Sequence, residues 1–160
     1  MRILTSILLG LAAASCASYD GHTLRPGVSS EAELRSVMGQ PAVEYTQGDG
    51  SRRLMYPRGP LGTQTFAAEV GSDGIVQSIR PVLKDDTFNG IRPGMTQDDI
   101  LRLIGPPGDT MKFSLSRHFA WDYRYVDTWG YVAIFSVTFD DKGVVVSKFS
   151  RRIDRDQGRT

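Results

Sequence analysis

Arg92-Pro93-Gly94-Met95-Thr96-Gln97-Asp98-Asp99-Ile100-Leu101-Arg102-Leu103-Ile104-Gly105-Pro106-Pro107 is the stretch that decides the fold, because the chain carries the same pattern earlier. The earlier copy runs Arg25-Pro26-Gly27, then Ser30, Glu33, the apolar set Leu34, Val37 and Met38, and finally Gly39-Gln40-Pro41. Ser30 and Thr96 have the residue type that caps a helix N-terminus, and Glu33 and Asp99, three residues on, complete a capping box, Asp being the shorter partner. Apolar residues at i, i+3 and i+4 make one stripe, and glycine followed by proline stops the helix. Two helices are therefore expected, over 30–39 and 96–105. A helix of about nine residues does not persist alone in water. Each must pack on a sheet, with Leu34, Val37, Ile100 and Leu103 turned inward.

Outward from these helices the sheets are legible. Phe66, Ala68, Val70, Gly74, Ile75 and Val76 recur at a constant offset as Phe135, Val137, Phe139, Gly143, Val144 and Val145. In the second copy, residues alternate over 119–125 and 131–139, and a further strand over 144–149 follows the turn at 140–143. The first copy has Leu54 and Tyr56, then Phe66 to Val70, then a strand over 75–79, and the turn at Gly48-Asp49-Gly50 allows an additional strand over 42–46. The fold class that results is α+β: two tandem repeats, each with short helix(es) packed on a three- to four-stranded antiparallel meander sheet. Repeat one covers 25–83 and repeat two 84–150, joined near 81–90. Units of about 60 residues are marginal alone, so one tandem module is expected.

The N-terminus has the layout of a secretory signal over 1–15: Met1 and Arg2, then an apolar run over 3–14. Twelve helical residues span only about 18 Å against a hydrocarbon core of about 30 Å, too little to cross a membrane. Ala13-Ala14-Ser15-Cys16 follows, and Cys16 is the single cysteine of the chain. The segment resembles a bacterial lipobox, in which cleavage between Ser15 and Cys16 leaves a lipidated cysteine as the new N-terminus; Ala13 stands where a branched apolar residue is more usual. A diacylglycerol and an N-acyl chain of the palmitate class would bury three chains at about 0.8 kcal/mol per methylene, enough for stable anchoring. The alternative is ordinary cleavage after Ala14, giving a soluble periplasmic protein with a free thiol. Ala17 is not the aspartate that, by resemblance to other lipoproteins, retains a protein at the inner membrane. The expected location is the periplasmic face of the outer membrane, with 16–24 as a lipidated tether.

The chain has 19 basic and 18 acidic residues, and losing Arg2 with a signal makes the two equal. That balance argues against nucleic acid as a partner. Arg151, Arg152, Arg155 and Arg159, interleaved with Asp154 and Asp156, read as a solvated charged tail over 151–160 or as a weak contact for lipid headgroups or glycans. The only histidines are His22, in the tether, and His118, at the start of an aromatic strand, so no zinc spacing occurs and no metal or cofactor is expected. His118 reads as an edge or surface residue before it reads as a base. Asp98-Asp99 opens a helix and Asp140-Asp141 forms a turn, so neither pair suggests acid–base work. There is no phosphate loop and no nucleophile elbow, and a non-enzymatic role follows.

Gly94-Met95-Thr96, the helix over 98–104, Gly105-Pro106-Pro107, Trp121 with Tyr123, and Phe139 followed by Gly143-Val144-Val145 resemble the BamE family of lipoproteins, also called SmpA/OmlA. The second copy matches over about 84–150. The first matches more weakly, with Leu54 in the place of Trp121 and one extra residue between Gly27 and its cap. The resemblance implies an outer-membrane lipoprotein that binds other envelope proteins, including the machinery that inserts β-barrels. Two repeats depart from the single-domain member of that machinery. The tandem arrangement also resembles the β-lactamase inhibitory protein, whose joined sheets grip an enzyme, and leaves an inhibitor of a periplasmic enzyme as the alternative.

Aromatic residues are distributed unevenly: ten fall in 92–150 and three in 25–83. Trp121, Phe135 and Phe139 read as core. The strand over 131–139 is apolar on both faces near its start, because Val132 and Ile134 alternate with Tyr131, Ala133 and Phe135, so it needs two covers: a helix, and the other repeat or a partner. Trp129 lies in the hairpin connection Asp127-Thr128-Trp129-Gly130. Either it folds back on its sheet or docks on repeat one, or it forms a partner-binding hot spot with Tyr131 and Tyr125.

Overall fold

The computed structural model describes residues 21–59 and 61–153. The signal, the cleavage site, Cys16 and residues 154–160 of the expected tail lie outside the described residues.

Unit one opens with helix α1 (Glu31–Met38) and continues as strands β1 (Val43–Thr46), β2 (Arg52–Pro57), β3 (Thr65–Val70) and β4 (Val76–Pro81). Unit two has helices α2 (Asp85–Asn89) and α3 (Gln97–Ile104), then β5 (Asp109–Lys112), β6 (Phe119–Val126), β7 (Val132–Phe139) and β8 (Val145–Arg152). Each set of four strands is an antiparallel meander in chain order, and the two sheets do not join.

Both long helices start where the sequence places them. The Ser30 hydroxyl accepts from the Glu33 N–H at 3.2 Å while the Glu33 carboxylate accepts from the Ser30 N–H at 2.7 Å. Thr96 and Asp99 repeat the arrangement at 3.2 and 2.8 Å, so the shorter aspartate closes its box as fully as the glutamate does. Both helices end at glycines with positive φ, 85° at Gly39 and 80° at Gly105, a region side-chain-bearing residues avoid. The two units also share backbone devices. Gly27 N–H donates to the Val76 carbonyl at 2.8 Å and Gly94 N–H to the Val145 carbonyl at 2.9 Å. The β3–β4 pairing shifts register between Glu69 and Val70, and β7–β8 shifts between Thr138 and Phe139.

Four layers result: α1, sheet one, α3, sheet two. Leu34 and Met38 of α1 pack with Leu54, Tyr56, Phe66 and Ala68 on one face of sheet one. Met55 and Ala67, on the other face, belong to the same cluster as Ile100 and Ile104 of α3 and Trp121, Val137 and Phe139 of sheet two. Each fully buried Leu, Ile or Phe contributes about 1.5–3 kcal/mol. One helix thus serves two sheets.

The structure departs from the sequence reading at several points. Met38 and Ile104, rather than Val37 and Leu103, accompany Leu34 and Ile100 in full burial; residues four apart share a helix face more closely than residues three apart with an intervening turn. Strand β5 and helix α2 were not expected. β5 is polar and every residue in it is exposed, so it has no apolar alternation to read. Phe88 of α2 stacks on Phe135 with ring centroids 3.8 Å apart, so the junction between units is part of the core. β8 runs to Arg152, so Arg151 and Arg152 belong to the sheet and not to a tail. Leu24, assigned to the tether, is buried in the core of unit one.

Candidate partner-binding surface

The β6–β7 hairpin is held by one carboxylate. Asp127 accepts from the N–H groups of Trp129 and Tyr131, both at 2.9 Å, and from Arg152 Nε at 2.7 Å. Its desolvation would raise its pKa, but the N–H of Tyr131, the Arg152 side chain and the N–H of Trp129 outweigh that and hold it below the usual carboxylate range. Gly130 completes the turn at φ 80°. Arg152 also lies 4.6 Å from the Tyr131 ring centroid, a cation–π distance. The turn is ordered by these bonds, yet Trp129 remains 77% exposed and Tyr131 58%.

Of the two readings of Trp129, folding back or docking on unit one is therefore not what the side chain does. Tyr125 is corrected as a surface residue: it is 3% exposed, with its ring edge-on to Phe88 at 4.8 Å. The α2 helix that covers it was invisible in the sequence reading. Trp121, Phe135 and Phe139 are buried as expected. His118 is exposed, just before β6.

Behind the hairpin lies the outer face of sheet two. Strand alternation puts Met111, Ala120, Asp122, Arg124, Ile134, Ser136, Phe149 and Arg151 on it, opposite the face that packs on α3. Its central residues Ala120 and Ser136 are buried, Met111 and Phe149 at its margins are exposed, and the part of unit one that reaches it is Leu61, in the connection between β2 and β3. The Ser136 hydroxyl donates to Asp122 at 2.6 Å, and Arg151 approaches the same carboxylate at 3.9 Å. A depression of about 360 Å³ is lined by Leu61, Asp109, Met111, Asp122, Arg124, Ile134 and Arg151, with Gly108 at its edge. Of the ten large apolar side chains exposed among the described residues, eight belong to unit two, and Leu61, one of the other two, borders this depression. They fall in separate places: Phe113 and Leu115 in the β5–β6 connection, Val126, Trp129 and Tyr131 at the β6–β7 hairpin, and Met111 and Phe149 on the outer face. The sequence signal that could have found it was the two-faced apolar pattern of β7; the contributions of Met111, Phe149 and Leu61 had no local signal.

The described residues contain no group of three or more His, Cys, Asp or Glu placed to hold a metal ion, and no helix long and apolar enough to cross a membrane. Asp140 accepts from the N–H groups of Val144 and Lys142 at 2.9 and 3.0 Å, which places it in turn formation.

No protein-family model matches the chain, and no curated protein matches it. Among solved structures it is similar to a provisionally assigned osmotically inducible lipoprotein, OsmE, at 26% identity and TM-score 0.37, over 41% of this chain and 75% of that one. It is similar to a provisionally assigned beta-lactamase inhibitor protein from Streptococcus mutans at 13% identity and TM-score 0.34, over 79% and 84% of the two chains. It is also similar to the DUF4309 family protein YjgB from Bacillus subtilis, at 14% identity and TM-score 0.30, over 81% and 82%. None of the three superposes well enough to carry an argument, and the α+β tandem-repeat architecture stands on the chain's own two sheets and helices.

Proposed function

We propose that the chain is a BamE-like lipoprotein, anchored through Cys16 at the periplasmic face of the outer membrane, that binds envelope proteins through unit two rather than catalysing a reaction. The observation that carries this reading is the concentration of exposed apolar side chains in unit two, headed by Trp129 on an ordered turn. A tryptophan presented at a fixed angle loses little entropy on binding, the property of a hot spot. The lipobox-like Ala13-Ala14-Ser15-Cys16 supports the anchor, and the order of motifs in unit two supports the family. Gly21, the first described residue, is buried, so Cys16 stands at most about 18 Å of extended chain from a buried residue. Any partner is then met close to the bilayer, as a membrane-protein assembly machine would be.

Two measurements test this. Cys16→Ala should move the protein from the membrane to the soluble fraction; a wild-type protein that carries no acyl chains ends the anchor reading. Cross-linking in intact envelopes should bring down membrane-protein assembly components, the β-barrel machinery first, and Trp129→Ala should reduce that capture at least thirtyfold. The inhibitor alternative is favoured by one feature, the single tryptophan at a hairpin tip, a shape that enters a cleft. Capture of a soluble periplasmic enzyme, inhibited by the wild type and not by Trp129→Ala, would establish it instead.

A further inference from the structure

Unit one and unit two finish the same strand edge differently. β5 starts at Asp109, after Pro106 and Pro107, which have no N–H to pair with β6, and its register with β6 ends at Asp109 opposite Asp122. β6 itself runs on to Val126. The Gly108 N–H donates to the Asp122 carbonyl at 3.0 Å, so strand alternation turns the N–H and C=O groups of Asp122, Arg124 and Val126 to the side of β5. Beyond Gly108 that side makes no main-chain hydrogen bond among the described residues. In unit one the place of Arg124 is held by Pro57, opposite Thr65 as Arg124 is opposite Ile134. A proline leaves no N–H free, which is how edge strands are commonly closed. Sheet two keeps both groups.

Beside this edge, at the seam between the units, lies a cavity of about 210 Å³. Its walls include Pro57, Leu83, Pro106, Pro107 and the buried Tyr123, and Arg124 also lines it. A cavity of about 150 Å³ takes benzene, so this one has room for a leucine or phenylalanine side chain. Resting on the protein-binding reading above, we infer that the β6 edge at Arg124 binds an extended segment of a partner protein, which adds as a short strand and places one apolar side chain in the cavity. The occupant follows from the groups on offer. An N–H and a C=O presented by one edge residue are matched by the N–H and C=O of one extended residue facing it, whereas a helix has these groups bonded internally. That residue points, like Arg124, to the outer face, and its neighbour points, like Tyr123, inward to the cavity.

The probe is acetyl-Ala-Leu-Ala-amide, added to the purified full-length protein and followed by NMR. In the free protein the Arg124 amide should exchange its hydrogen rapidly, against slow exchange at Tyr123, whose N–H turns to β7. The peptide should then give saturable shifts at the Arg124 amide and the Leu83 methyls, and none at the Leu34 methyls in the core of unit one. Arg124→Ala keeps the main-chain groups and should bind as the wild type does; Arg124→Pro, which gives β6 the residue that β2 has, should weaken binding at least about tenfold. Acetyl-Ala-Ala-Ala-amide, which cannot fill the cavity, should bind more weakly by a similar factor, a comparison that needs no variant to fold. The inference is overturned by an Arg124 amide already protected in the free protein, by its own tail or a second copy. Equal binding of the two peptides, equal effects of the two substitutions, or no saturable shift by about 20 mM peptide overturns it as well. In intact envelopes, partner capture kept by Arg124→Pro and lost with Trp129→Ala overturns it and leaves the protein-binding reading standing. Capture unchanged in both overturns both.

Discussion

Unit one and unit two follow one backbone plan, yet the same sheet face carries Met55 and Ala67 in the first and Asp122 and Ser136 in the second. The difference is one of position in the stack. The face of sheet one lies under α3 and must be apolar; the face of sheet two has no following helix among the described residues. In repeat architectures, a unit that ends the stack needs a polar outer surface to stay soluble. Here polar residues run across the face, from Asp109 on β5 through Asp122, Arg124 and Ser136 to Arg151 on β8, and Met111, Ile134 and Phe149 lie among them. At the other end, α1 turns Ala32, Glu33 and Ser36 to water, a plainly polar cap. The two ends of one stack thus differ: the exposed side of α1 is polar and the outer face of sheet two is partly apolar.

The largest effect should come from moving the open-face residue to the covered face. Met55→Asp puts a carboxylate at a fully buried site with no cation arranged for it, and should cost about 4 kcal/mol or more in urea unfolding. The reverse change, Asp122→Met, removes the acceptor of the buried Ser136 hydroxyl and should cost about 1–3 kcal/mol, while promoting self-association in sedimentation. A small cost for Met55→Asp would mean that α3 does not seal sheet one. Next, Ile104→Ala, in the cluster shared by both sheets, should cost about 2–5 kcal/mol. Met38→Ala, in the core of unit one alone, should fall at the low end of that range. Equal losses would break the claim that α3 serves two layers.

Around 1 kcal/mol, paired hydroxyls sharpen the comparison. Tyr123, buried in unit two, donates to the Gly105 carbonyl at 3.0 Å and ties the end of α3 to sheet two. Its counterpart Tyr56 has a buried hydroxyl without a hydrogen-bond partner, and burial pushes that phenol up to about 12. Tyr123→Phe should cost about 1 kcal/mol, and Tyr56→Phe should be neutral or stabilising. Ser30→Ala and Thr96→Ala should each cost about 1 kcal/mol, since both capping boxes are closed. The Thr96 N–H and hydroxyl hold the Asp99 carboxyl below its ordinary value. Its contribution is therefore present above the unfolded-chain pKa and lost as pH falls through the lowered folded value, and the cost of Thr96→Ala should shrink in strong acid. The smallest effect on the fold belongs to Trp129→Ala, within about 0.5 kcal/mol in thermal unfolding because the ring is in water. A sharp fall in midpoint would return Trp129 to the core.

Legibility in the sequence tracks how local the physics is. Helix starts at Glu31 and Gln97 were readable because Ser30 and Thr96 act on their own next turn. The meander was readable because alternation over 119–125 and 131–139 fixes which residues share a face. β5 was not, although its position follows from β1 once the duplication is applied strand by strand. Tyr125 was misplaced for a related reason. Alternation put it on the same face as Tyr123 but could not say that Phe88, thirty-seven positions earlier, would lie over it.

By itself, the sequence determined the duplication, the helix boundaries, the antiparallel order and the division of each strand into two faces, all of which rest on interactions within a few residues or on exact periodicity. Only the tertiary structure decided that α3 lies between the sheets, that Met111 and Phe149 stay exposed on the outer face of sheet two, and that Leu61 joins Met111 at its border. Those outcomes depend on which apolar surface wins a given cover. That competition is settled by area and shape between segments far apart in the chain, which no local pattern encodes.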